Sequence, residues 1–121
     1  MNGTLLKQGR SLFKNWKQRY FVLQENELVY YTEGKKRVER GRFQLTADCE
    51  CDHSDSRAFC FFVSDPSPTS RQTTLFLVGA DIQDVDAWVT SIREVLKHVS
   101  GFLTVAHYHS SHLHSHTRTS H

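Results

Sequence analysis

A mainly β, α+β fold is predicted by two rhythms in the chain and one gap in its charge pattern. As far as residue 78 the apolar residues fall in seven short β-rich segments separated by polar turns. From Ile82 the period becomes helical, with Val85, Trp88, Val89, Ile92, Leu96 and Val99 on a single stripe. The gap lies at the start: no acid precedes Glu25, while Lys7, Arg10, Lys14, Lys17 and Arg19 crowd around a run of aromatics.

Taken in order, Thr4 to Gln8 is a short first strand, ended by Gly9 and a polar loop. Trp16 to Leu23 is the clearest strand, with Lys17, Arg19, Phe21 and Leu23 on one face and Gln18, Tyr20 and Val22 on the other. Gln24-Glu25-Asn26 supplies turn chemistry before a third strand, Leu28 to Thr32. A polar turn, Glu33 to Glu39, leads to a fourth strand, Gly41 to Leu45. Ala47 to Asp52 reads as a weak fifth strand with Ala47, Cys49 and Cys51 inward. Phe59 to Val63 is the sixth, and Thr73 to Val78 the seventh. Between these last two, Asp65 to Gln72 holds both prolines and reads as a surface loop.

Helix signals agree with the periodicity. Asp81 is placed to cap the N-terminus, Asp84 and Asp86 favour the positive end of the helix dipole, and Gly101 offers a stop. The apolar stripe can close the open end of a bent sheet, with Trp88 as the main plug. Burial of such a side chain stabilises by roughly 1.5–3 kcal/mol.

At 121 residues the chain is expected to form one domain, residues 1–101, followed by a flexible His/Ser-rich tail over 102–121. A composition of 38% hydrophobic and 23% charged residues argues against disorder. The apolar run Phe59 to Val63 is far too short to span a membrane, and the N-terminus lacks the order of a secretory signal. Three cysteines cannot close a disulfide framework, so a reducing cytoplasm is the expected compartment. Charge is polarised. Residues 1–42 hold ten Lys/Arg against four Glu, whereas the rest of the chain holds five bases against nine acids. Such a dipole can steer a protein towards an anionic surface or ligand.

These residues carry a resemblance. A Leu-Leu-Lys first strand, a basic loop, Trp16-Lys17-x-Arg19-Tyr20-Phe21-Val22-Leu23, Leu28-x-Tyr30-Tyr31, Arg40-Gly41 and the Ala87-Trp88 pair of the helix, in that order, resemble a pleckstrin homology domain over about residues 3–100. The resemblance implies a seven-stranded, partly open barrel of two near-orthogonal antiparallel sheets capped by the helix. The first two strands are most similar to those of small cytosolic adaptor proteins that read 3-phosphorylated phosphoinositides. Residues matching that subgroup's headgroup site are Lys7, Lys17, Arg19, Tyr31 and Arg40, with Arg10 and Lys14 in the loop that cups the phosphates.

The chemistry suits a polyphosphorylated headgroup. Arg19 can present a planar fork to one phosphate, Lys7, Lys14 and Lys17 act as point charges, and Tyr31 can donate its hydroxyl. Lys17 and Arg19 share a face by period 2 and can reach one ligand. Arg10 and Phe13 at the loop tip can touch anionic lipid. The loop Asp65 to Gln72 shows no recognisable phosphate ligand.

Other constellations carry less. Cys49-x-Cys51-x-His53 with Cys60 has zinc-ligand types but lacks the usual cysteine spacing, and Cys49 and Cys51 read as small core residues. No metal or other cofactor is expected. His107, His109, His112, His114, His116 and His121 crowd the tail without a readable function. No nucleophile–base–acid set or nucleotide loop presents itself, so an enzyme is not expected. Nucleic acid is not expected either, because the aromatics of the basic stretch alternate into the strand. Two readings follow: a module that binds a phosphoinositide headgroup on an anionic membrane surface, recruited peripherally to the plasma membrane or another phosphoinositide-bearing membrane, most simply by phosphatidylinositol 3,4,5-trisphosphate or the 3,4-bisphosphate; or a protein-interaction module on the same scaffold with only weak, non-specific anionic-lipid binding.

Overall fold

A computed structural model describes residues 1–10 and 15–110, with side chains placed as far as residue 100. Seven strands precede one helix: β1 (Asn2–Gln8), β2 (Trp16–Gln24), β3 (Glu27–Thr32), β4 (Glu39–Gln44), β5 (Glu50–Ser54), β6 (Cys60–Ser64), β7 (Leu75–Val78) and α1 (Ile82–Ser110). All strand pairs are antiparallel, in the order β4-β3-β2-β1-β7-β6-β5, so the sheet stays open between β4 and β5. The two expected sheets are therefore two halves of one hydrogen-bonded sheet. They join where Leu6 and Lys7 of β1 pair with Val78 and Leu77 of β7.

Local chemistry moves several strand ends. β2 and β3 form a hairpin on Glu25 and Asn26, with Gln24 opposite Glu27 and Glu25 in the left-handed region at φ 51°. β5 begins at Glu50 rather than Ala47, because Ala47 and Asp48 lie in a turn closed by the Cys49 N–H on the Thr46 carbonyl at 3.1 Å. β6 begins at Cys60 rather than Phe59. Phe59 has φ 57°, which cannot continue a strand, and its carbonyl accepts from the Gly79 N–H at 2.9 Å. β7 starts at Leu75, two residues later than its composition suggests.

The core lies inside the bent sheet. Leu5, Phe21, Leu28, Phe61, Val63 and Leu77 pack there against Val85, Trp88, Val89 and Ile92 of α1. Trp88, 1% exposed, plugs one end, and a Cβ added at Gly3 of β1 would stand 3.7 Å from its Cζ2. Cys49 and Cys51 belong to this core, and burial pushes the Cys51 thiol up to about 12.

α1 starts as expected: the Asp84 N–H donates to Asp81 Oδ1 at 2.8 Å, and Asp84 Oδ2 accepts from the Ala80 N–H at 2.9 Å. It does not stop at Gly101. A glycine inside a helix costs about 1 kcal/mol relative to alanine, and no proline follows to force an end, so α1 runs on to Ser110. The expected tail thus begins within the helix, and residues 111–121 lie outside the described residues. Among the described residues no helix is long and apolar enough to cross a membrane.

Polar contacts tie α1 to β5. Arg93 donates through Nε to the Cys51 carbonyl at 2.8 Å and pairs through Nη2 with Asp52 Oδ1 at 2.9 Å. His53 Nε2 lies 2.7 Å from Asp86 Oδ1. With the helix fixed over the Gly3 and Leu23 end of the barrel, the opposite end is left open.

Candidate anion-binding site

Strand period and register decide what stands at the open end. On β1, Gly3, Leu5 and Lys7 share the inner face and run from the Trp88 plug to the rim. Lys17 lies directly across from Lys7, Arg19 across from Leu5, and Phe21 across from Gly3. The inner face of β2 therefore changes from two cations at the rim to a fully buried phenylalanine within. On β3 the Glu25–Asn26 hairpin sets Tyr30 opposite Phe21, their rings stacked 5.1 Å apart.

Lys7 is the hinge of this arrangement. Its ammonium sits 5.2 Å from the centre of the Tyr30 ring and donates to the Gln8 carbonyl at 3.4 Å. Burial first, then the charges of Arg10 and Arg19, hold it below the ordinary lysine range. The three cations thus share one electrostatic environment, and none has a carboxylate partner among the described residues. Arg42 differs: Glu27 and Glu39 hold it at 2.6 and 2.7 Å, and the pairing raises its pKa further.

A cavity of about 500 Å³ opens beside Lys7, lined by Arg10, Tyr30, Phe43, Arg71 and Leu75 among others. The basic loop leaves this mouth from a narrow neck. The Gly9 N–H donates to the Asn15 carbonyl at 2.6 Å, and a Cβ at Gly9 would press to 3.0 Å against that oxygen. A side chain there would force the neck apart and re-aim Arg10.

Of the residues expected from sequence, Lys7 and Arg10 line the cavity, while Lys17 and Arg19 lie outside its lining, across the β1–β2 ladder from Lys7 and Leu5. Lys14 lies outside the described residues. Tyr31 is a correction. It pairs with Tyr20 on the outer face, ring centres 6.5 Å apart, because it follows the inward Tyr30 by one residue. Tyr30 takes the inward position. Arg40 is exposed in a bulge, where the register passes from Tyr30–Gly41 to Tyr31–Glu39 and leaves it unpaired in the ladder. Arg71, from the loop expected to offer no phosphate ligand, lines the cavity.

An open seven-stranded antiparallel sheet, plugged at one end by a C-terminal helix and cationic at the other, is the architecture of a known family. The PH domain family model matches residues 1–97, and the chain belongs to that family. It is similar to human pleckstrin-2, 35% identical over 96 residues that cover 74% of this chain and 26% of that protein. It is also similar to human pleckstrin, 29% identical over 102 residues covering 82% of this chain and 28% of that protein. The chain therefore spans only about a quarter of the length of these relatives. Among solved structures, the C-terminal PH domain of pleckstrin in complex with D-myo-Ins(1,2,3,4,5)P5 aligns with TM-score 0.64 at 28% identity, covering 78% of this chain and 95% of that one. The human KIAA0053 PH domain aligns with TM-score 0.65 at 30% identity, covering 79% of this chain and 86% of that one.

Proposed function

We propose that this domain is a non-catalytic phosphoinositide-binding module that recruits its protein from the cytoplasm to an anionic membrane, with Lys7, Arg10, Lys14, Lys17 and Arg19 as headgroup ligands and Tyr30 beneath them. The observation that carries this reading is Lys7 itself: a half-buried lysine close to two arginines, at the mouth of a cavity, with no carboxylate partner among the described residues. Like charges held together without a counter-ion raise the free energy of the unliganded site, and a polyanion relieves it. PH domains commonly bind phosphoinositides, and the pleckstrin domain aligned above is an inositol phosphate complex. The basic run ahead of the core favours phosphatidylinositol 3,4,5-trisphosphate or the 3,4-bisphosphate, whose clustered phosphates match clustered cations.

A vesicle panel across phosphoinositide isomers, with soluble inositol 1,3,4,5-tetrakisphosphate as competitor, tests this. Binding to one or two isomers, competed by the soluble headgroup and surviving high salt better than binding to phosphatidylserine, is the expected result. Screening shortens from about 8 Å at 0.15 M to about 3 Å at 1 M, and enclosed phosphates feel it least. Equal binding to every anionic vesicle, without competition, would move the protein-interaction reading ahead.

A further inference from the structure

The connection between β6 and β7 does more than cross the surface. Gln72 lays its side-chain amide against Gln44, the last residue of β4: the Gln44 N–H donates to Gln72 Oε1 at 2.5 Å, and Gln72 Nε2 donates to the Gln44 carbonyl at 3.0 Å. The amide thus presents one acceptor and one donor to an edge strand, as the backbone of a neighbouring strand would. Nε2 also donates to Asp65 Oδ2 at 3.0 Å, and the Gln72 N–H donates to Ser70 Oγ at 3.1 Å. A flipped amide would set donor against donor at Gln44, so this network admits one orientation.

The contact bridges the unpaired edge of β4 to the segment that enters β7. It fixes the loop beside the cavity that Lys7 and Tyr30 line, and Arg71 is the adjacent residue. Arg71 is exposed and has no carboxylate partner among the described residues. The cavity thus brings Arg71 of the loop together with Lys7 and Arg10, and Lys17 and Arg19 stand outside its lining in the ladder with β1.

We propose that Arg71 is a binding residue for a polyphosphorylated inositol headgroup, and that Gln72 is the positioning residue that holds it at the cavity. This rests on the functional reading above and adds to it a second cationic wall, supplied by a loop rather than by the β1–β2 hairpin. A headgroup phosphorylated at separated ring positions meets β2 cations on one side and Arg71 on the other. The same chemistry comes from a membrane lipid or from a free inositol phosphate.

The test is a double-mutant cycle on the intact chain, read by calorimetry with soluble inositol 1,3,4,5-tetrakisphosphate and by sedimentation with vesicles carrying the matching lipid. Arg71→Ala is expected to weaken both by about tenfold, the loss of one charge-assisted contact. Gln72→Ala, with Gln72→Met as a variant that keeps the chain length but not the amide, is expected to weaken binding several-fold in the wild-type background and not at all beside Arg71→Ala. A merely structural role for Gln72 would lower affinity equally in both backgrounds, and that result overturns the positioning role. Full affinity in Arg71→Ala, while Arg19→Ala loses binding, overturns the inference and leaves the functional reading standing. A loss confined to vesicles makes Arg71 a general membrane contact and likewise overturns it. Absence of wild-type binding to either probe removes the functional reading and this inference together.

Discussion

Tyr30 and Gly41 share one cross-strand position: a Cβ at Gly41 would fall 2.5 Å from Tyr30 Cζ, so the phenol ring lies where that side chain would be. The glycine is thus what lets a tyrosine lie flat under Lys7. Gly41→Ala should displace the ring and destabilise the fold by about 1–3 kcal/mol, as overpacking does. Beside Tyr30→Ala the same change should be nearly neutral. Urea unfolding of the two singles and the double measures this; an equal penalty in both backgrounds would show that the crowding lies elsewhere.

Arg19 is half-buried on the inner face of β2, its guanidinium donating to the Gln18 carbonyl at 3.0 Å. Arg19→Ala should leave the circular dichroism spectrum unchanged. Headgroup affinity should fall tenfold to about a hundredfold, corresponding to a charged hydrogen bond of roughly 1.5–3 kcal/mol. Calorimetry at fixed salt gives the number.

Lys7 is held below its ordinary pKa in the free protein. A bound polyphosphate would favour its charged form, so binding should take up protons at alkaline pH, in the window just under the ordinary lysine value of about 10.4. Titrations in buffers of different ionisation enthalpy report that uptake directly. Lys7→Met should abolish the alkaline uptake and reduce affinity.

His53 is raised above its ordinary value chiefly by the bond to Asp86, with Asp52 adding to it. A raised histidine stabilises the fold fully below its unfolded pKa of about 6.5, and that contribution is lost as pH rises through the folded value. Relative to His53→Gln, wild-type Tm should therefore be higher at pH 6 than at pH 8. Asp52, lowered by its bond from the His53 N–H, works in the opposite window and weakens the fold only in acid. Differential scanning calorimetry of both proteins across pH 5–8.5, roughly the interval bracketing histidine titration, separates the two.

The family match ends at residue 97, and among the helix residues whose side chains are described the last packed on the core is Leu96. Deleting residues 103–121 should leave Tm and headgroup affinity within error of the full chain in metal-free buffer. A fall of several degrees would show that the last turns of α1 pack on the domain.

The succession of strands, the helix stripe and the shared face of Lys17 and Arg19 were legible because period 2 and period 3.6 are written directly in residue type. Tyr31 was misassigned for want of a register. Once Glu25 and Asn26 are fixed as a two-residue hairpin turn, Phe21 must pair with Tyr30, and the face of each tyrosine follows. That signal lay in the sequence. Arg71 and Gln72 are different. Their placement depends on a contact with Gln44, 28 residues away, which no local pattern encodes. Gly101 misled for a third reason: a C-terminal glycine signal permits a stop without requiring one.

Strand pairing joins the two halves of the sheet through β1, whose partners on β7 lie some 70 residues downstream, Lys7 against Leu77 and Leu6 against Val78. The β1–β4 meander can assemble from neighbouring hairpins, but this junction must close a long loop against chain entropy. Lys7 stands at that closure. A headgroup that needs Lys7 together with groups on both halves therefore binds only the closed chain, and mass action makes it a fastener: at a hundred times its Kd it adds about 2.7 kcal/mol to the closed state. A domain marginal in free solution would then gain its firmest fold with the headgroup bound, and an unliganded copy would be the one more open to proteolysis.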